Sequence, residues 1–501
     1  MQIESIGRLG ISPDHGRETA SDYFTGQCIE RIQIDRIPMP PRLLHYSDVE
    51  NAYDDPERIG RLARLLRQRR DETTLVCGTG DTTAPGVLAM ETDGKHARRF
   101  FERVGPDVST FGNHEFDHGL ESLRELVADT PQQWVTANLR TGTRPLAADR
   151  GVRRIAAVSI GGERLGFVGV SDPQSIRAHP AADGVTVDDP IAAVADAVAA
   201  LDGRDVDSIV VLSHAGELDD EIARLDGVDV VLGGHTHDVR ADVVAGTPIV
   251  HPGERAALVG EVRFTGGTPD VVLHRVPEVP VATDVEAEYR GLFAECGLTD
   301  TVATIDASLS RDPAACFPES RIGNVVADAY RWAADADVAV YNARMLRAGP
   351  PLAGDVTVGD LRSLTPFDNE IHTAGLTGAE LLDLFENLVV PDAVDAHLEV
   401  FAHVSGASLA WRRTATDLGL ASATVAGSPP DPDAVYEVAA PTFAFENELF
   451  APLSRDRIEA THGHQHHVLA EYVRRHGFPD GCDGRMEAVS DTAPESVHSL
   501  R

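Results

Sequence analysis

The sequence predicts a layered α/β or α+β protein with a mixed sheet at its core, followed by a second α/β domain. Three observations carry this. Short apolar runs alternate with segments of helical period, several runs are joined as hairpins, and 501 residues are too many for one ordinary core. Residues 1–40 show no regular pattern and read as an N-terminal arm. Residues 42–48 read as a buried strand with a polar tip, and 56–70 as a helix with Ile59, Leu62, Leu65 and Leu66 at helical spacing. Residues 73–81 form a second strand with a glycine-rich end, 96–104 and 120–128 are helical, and 134–139 is a strand. Residues 155–170 read as a hairpin turning at Gly161-Gly162-Glu163. An alanine-rich helix is expected at 189–201, then strands at 208–214 and 228–235 flanking a helix around 217–225. Further strands follow near 248–251, 258–264 and 271–276. Pro277-Glu278-Val279-Pro280 marks a boundary, so the expected domains are 41–280 and 285–490. A helix over 285–295 opens the second, and a polar tail occupies 491–501.

Composition narrows the function classes. No stretch approaches the apolar length of a membrane span, and the N-terminus lacks a basic region followed by an apolar block. Cys28, Cys77, Cys296, Cys316 and Cys482 are scattered, without metal-type spacing, which suits a reducing cytoplasm. The formal net charge is −36, from 80 acidic and 44 basic residues, and Lys95 is the only lysine. This acidic, lysine-poor balance fits a salt-rich cytoplasm and argues against nucleic acid as a partner.

The chemistry concentrates at strand ends. Phe111-Gly112-Asn113-His114-Glu115-Phe116-Asp117 sets an amide, an imidazole and two carboxylates within five positions. Asn113 offers a neutral oxygen to a metal, and His114 can donate a proton to a reacting oxygen. Asp117, three residues on, can hold that imidazole in one tautomer. The plainer reading is a strand-to-helix turn with a capping Asn and a loop His. Asp48 with Glu50, Asp81, His214, and His235 with His237 also follow apolar strands, whose ends converge on one crevice in an open α/β sheet. Carboxylate, amide and imidazole without thiolate is donor chemistry for Mn, Fe, Zn, Co or Mg.

Leu44-His45-Tyr46-Ser47-Asp48, Gly80-Asp81, the segment from Gly112 to Asp117, Ala137-Asn138-Leu139, Ser213-His214-Ala215-Gly216 and Gly233-Gly234-His235-Thr236-His237 lie in order over roughly 200 residues. In this the sequence resembles the two-domain, metal-dependent 5′-nucleotidase family of calcineurin-like phosphoesterases, which includes UDP-sugar hydrolases and cyclic phosphodiesterases. The resemblance implies an N-terminal four-layer metallophosphoesterase β-sandwich flanked by helices, a C-terminal α/β substrate-binding domain and two divalent metal ions. Asp81 would bridge the metals. One would also take Asp48 and His237, with Glu50 where the family has histidine, and the other Asn113, His214 and His235. His114 would be catalytic, oriented by Asp117. Glu50 is a departure: it is either an oxygen ligand favouring harder ions or part of the loop that follows.

The resemblance continues over Glu319–Ala329 and 354–370, and implies that Arg347, Phe367 and Asn369 hold substrate. Asn342-Ala343-Arg344-Met345-Leu346-Arg347 lacks the family's glycine pair, and its late Gly-Gly-Asp-Gly loop is replaced around Phe443-Ala444-Phe445-Glu446-Asn447. Phe367 also reads as a core aromatic. His462-Gly463-His464-Gln465-His466-His467 reads as a solvated loop, or as a metal-binding tract. The expected function is phosphoester hydrolysis, foremost release of phosphate from 5′-nucleotides. The alternatives are a 2′,3′-cyclic nucleotide phosphodiesterase, a nucleotide-sugar pyrophosphatase, and a catalytically decayed metal- or nucleotide-binding protein.

Overall fold

The computed structural model describes residues 40–312, 319–391, 398–400, 402–413 and 418–490, so the expected arm up to residue 39 and the tail from 491 lie outside the described residues. Two six-stranded sheets stack face to face in the first half. One runs in the order Asp270–Arg275, Leu258–Arg263, Arg42–Tyr46, Thr74–Gly78, Val108–Ser109, Gln133–Trp134. The other runs Val239–Val244, Thr247–Pro252, Val230–Gly233, Ser208–His214, Glu163–Ser171, Ile155–Ile160. Parallel strands make the centre of both; antiparallel strands form one edge of the first sheet and both edges of the second.

The central strands are apolar on both faces because both faces are covered. Leu43, Leu75, Phe167, Val210, Leu212 and Leu232 fill the space between the sheets. Their neighbours Leu44 and Val76 turn outward to helices Pro56–Arg69, Ala97–Val104 and Gly119–Asp129, while Val211 and Val231 meet helix Pro190–Asp202. The result is four layers: helices, sheet, sheet, helices. Helix Pro56–Arg69 starts where its sequence says it should. The Asp55 carboxylate accepts from Glu57 N and Arg58 N at 3.1 and 3.2 Å, and Pro56 needs no donor partner. Its buried face includes Ile59, Leu62, Leu65 and Leu66. Helix Thr283–Glu295 packs on this same core through Val285, Tyr289 and Leu292.

The second half is built on a five-stranded sheet ordered Ala402–Ser405, Val338–Asn342, Val435–Pro441, Glu370–Thr377, Ala460–His464. Helices Arg321–Ala334 and Gln465–His476 join one core beside it, and helix Gly378–Asn387 another. Some sequence expectations change. The strand read over 134–139 splits into two short strands of different sheets, Gln133–Trp134 and Leu139–Thr141. The helix around 217–225 shrinks to a single turn, Asp219–Ile222. The histidine tract is no solvated loop: it ends a strand and opens helix Gln465–His476, with His466 buried. Among the described residues no helix is long and apolar enough to cross a membrane.

Candidate metal centre and cleft

Parallel strands end on the same edge, and that edge gathers the polar tips. Asp48 and Asp81 follow the strands Arg42–Tyr46 and Thr74–Gly78, Asn113 follows Val108–Ser109, His214 closes Ser208–His214, and His235 and His237 follow Val230–Gly233. Donor atoms of Asp81, His214 and His235 lie within 4.8 Å of one another, as do those of Asp48, Glu50 and His237, and those of Glu50, Asp81 and His114. Glu50 opens the short helical turn Glu50–Asp54, yet its side chain is buried and its Oε1 stands 3.0 Å from His237 Nε2.

The backbone bends to achieve this. Asp48, Glu50, Asp81, His235 and His237 all have positive φ, between 46° and 78°. Each such non-glycine residue costs about 1–2 kcal/mol, a strain that clusters at functional sites. The loops also press together. A Cβ on Gly112 would stand 2.1 Å from Asp81 Oδ1, and one on Gly234 2.1 Å from Ser47 Oγ.

Two buried atoms test whether the site suits a cation. His214 Nδ1–H donates to the Thr79 carbonyl at 2.7 Å, so in the neutral ring Nε2 bears a bare lone pair. That atom faces the Asp81 carboxylate at 3.0 Å with no aligned hydrogen bond. Two lone-pair donors facing each other need a positive charge between them. Burial alone would keep His214 neutral, but Asp81 pushes its pKa up to about 10, so a proton fills that place when no metal does. Asn113 Oδ1 is likewise buried without a hydrogen-bond partner. The residues fit a pair of divalent cations.

His114 stands at the edge of this cluster. Its Nδ1 is 2.9 Å from Asp117 Oδ2, and His179 Nε2 is 2.9 Å from the other Asp117 oxygen. Burial would lower the His114 pKa, but the Asp81 and Asp117 carboxylates push it up to about 9. Sequence reasoning passed over His179, and also Glu115, although Glu115 sits inside the heptapeptide. The Glu115 carboxylate accepts from Asp81 N, Thr82 N and Gly112 N at 2.9, 2.7 and 2.6 Å, tying two ligand-bearing loops together.

A cleft of about 780 Å³ runs from here to the second half of the chain. Glu50, His114, Asp117 and His237 line one side; Arg347, Arg362, Phe367 and His466 line the other. The Arg347 guanidinium lies 4.8 Å from the centre of the Phe367 ring. Asn369 does not join them: its side chain is turned inward, and its Oδ1 accepts from Phe443 N at 3.1 Å.

Four layers with cation donors on the strand tips define a phosphoesterase of the two-metal kind. The chain matches the family model for calcineurin-like phosphoesterase over residues 41–239, and that for the 5′-nucleotidase C-terminal domain over residues 301–450. It therefore belongs to the two-domain, metal-dependent 5′-nucleotidase family of calcineurin-like phosphoesterases, a family of phosphoester hydrolases. It is similar to the apyrase of Anopheles gambiae, 23% identical over 512 residues and covering 88% of this chain and 89% of that one. It is also similar to the 5′-nucleotidase of Diplobatis ommata, 31% identical over 172 residues, which are 34% of this chain and 30% of that one. Its fold is like that of the 5′-nucleotidase precursor from Thermus thermophilus, with a TM-score of 0.68, 24% identity, and 90% of this chain and 99% of that chain covered.

Proposed function

We propose that this protein hydrolyses 5′-nucleotides. Asp48, Glu50, Asp81 and His237 would hold one divalent cation, and Asp81, Asn113, His214 and His235 the other. The observation that carries the metal assignment is the facing pair His214 Nε2 and Asp81 Oδ2, buried together in an arrangement that requires a positive charge, from a proton or a cation. When bound, two cations supply Lewis-acid charge at the phosphoryl group and generate a nucleophile from water.

The chain's own residues do the rest. With Nδ1 turned to Asp117, His114 keeps Nε2 for a phosphoryl or leaving-group oxygen, and its raised pKa keeps it a donor at neutral pH. His179 fixes the far side of the Asp117 carboxylate, so the imidazole is aimed before substrate arrives. Across the cleft, Phe367 offers a flat face to a base and Arg347 a cation to an anionic oxygen. The apyrase and 5′-nucleotidase relatives support a nucleotide as substrate. The charge of −36, and the free thiols of Cys77, Cys296 and Cys482, support a reducing, salt-rich cytoplasm as the working medium.

The test is phosphate release by the purified protein with Mn²⁺ at molar KCl. Nucleoside monophosphates, diphosphates and triphosphates are compared with a cyclic nucleotide, a UDP-sugar and an aryl phosphodiester. Cleavage of the cyclic ester or the diesters without release from any nucleotide would overturn the proposal.

A further inference from the structure

Behind the candidate metal ligands lies a chain of polar side chains, buried at Ser213, Asp219 and His251 and reaching the surface at Asp238, that no ligand role accounts for. His251, on strand Thr247–Pro252, is 3% exposed. Its Nε2 is 2.8 Å from Asp219 Oδ2, and its Nδ1 is 2.7 Å from Asp238 Oδ1. Both ring nitrogens face carboxylate oxygens, so both carry protons and the ring is an imidazolium. Each carboxylate reaches on to a ligand-bearing loop. Asp219, fully buried, accepts from Ser213 Oγ, which in turn accepts from Ala215 N at 3.1 Å, so the hydroxyl brackets His214. Asp238 accepts from Thr236 Oγ1, between His235 and His237. The clamp also touches the backbone before these histidines: a Cβ on Gly233 would stand 2.2 Å from Asp219 Oδ2 and 2.2 Å from His251 Nε2.

We infer that His251 is a positioning residue for the metal centre. Through Asp219 and Asp238 it locks the His214 loop to the His235–His237 loop, so that three imidazoles converge before any cation binds. This rests on the two-cation reading above. The segment carrying His235 and His237 has two left-handed non-glycine residues, a conformation that relaxes unless other contacts fix it. The clamp supplies contacts of that kind at Gly233, Thr236 and Asp238. Two charge-assisted bonds to one ring make it stiffer than a neutral pair would be.

The experiment titrates metal-free protein with Mn²⁺, followed by electron paramagnetic resonance, with circular dichroism reporting the fold. His251→Gln removes the charge and one of the two bonds, and is expected to weaken Mn²⁺ binding about 10- to 100-fold, the usual effect of losing such a supporting partner. Val198→Ala, which opens the core under helix Pro190–Asp202, serves as the stability control and is expected to bind as wild type does. A folded His251→Gln protein with wild-type Mn²⁺ affinity overturns the inference. Should that variant not fold, Asp238→Asn decides: its side chain is half exposed, and wild-type affinity there overturns the inference equally. Wild-type protein binding fewer than two Mn²⁺ overturns the two-cation reading itself, and the clamp's role with it.

Discussion

Replacing Glu50 by Gln should have opposite effects on the empty and the metal-loaded protein. The residue is 5% exposed and its donor lies within 4.8 Å of those of Asp48 and His237. Two unit charges 4 Å apart interact by about 4 kcal/mol at an effective dielectric of about 20, and a dication doubles that. Stripping water from the cation returns several kcal/mol. A net loss of about 3 kcal/mol is therefore expected when the carboxylate becomes an amide, or about 100-fold in affinity for one of the two ions. In the empty site the sign reverses. Burial raises the Glu50 carboxyl pKa, only partly offset by His237, so the ionised form costs stability at neutral pH and Gln removes that cost. Glu50→Gln should melt at the same or a higher temperature without metal. With Mn²⁺ at 100 times the wild-type Kd it should lose about 2.3 kcal/mol of the roughly 2.7 kcal/mol of ligand-derived stability. Calorimetric titration and melting with and without Mn²⁺ read both effects. Two wild-type sites in Glu50→Gln would refute the reasoning and leave Glu50 as the first residue of the turn Glu50–Asp54 alone.

His114→Asn should lower turnover about 10²- to 10⁴-fold while two Mn²⁺ still bind, as counted by metal analysis. Activity that needs protonated His114 falls as pH rises through that group's pKa; in Asp117→Asn this limb of the rate profile should move to lower pH, because one carboxylate raising the pKa is gone. Phe367→Ala should raise KM for nucleotides about 10-fold, leaving glycerol phosphate and Mn²⁺ binding unchanged in the same assays. His96, packed on Tyr53 with ring centroids 4.5 Å apart, is held neutral by burial, its pKa lowered from 6.5 to about 3. The stability this contributes is whole above pH 6.5 and lost as pH falls below it, by about 2 kcal/mol at pH 5. Urea melts at pH 7 and pH 5 should show a smaller loss in His96→Asn than in wild type.

What the sequence determined by itself was whatever local chemistry governs. The spacing of Ile59, Leu62, Leu65 and Leu66 and the Asp55-Pro56 start define a helix whatever surrounds it. A donor after each apolar strand follows from the strand alone, and parallel pairing then sends those donors to one edge. Tertiary structure decided which way each loop side chain turns. His235 N donates to Asp48 Oδ1 across 187 positions, and Asn369 is drawn inward by Phe443, 74 positions away. The His251 clamp joins residues from 213 to 251 through strands that are neighbours only in the folded sheet. Glu115 looks like its neighbours in the heptapeptide until Asp81 N and Gly112 N converge on its carboxylate. Such side chains take their direction from buried donors and acceptors far along the chain, and no short window of residues contains both partners.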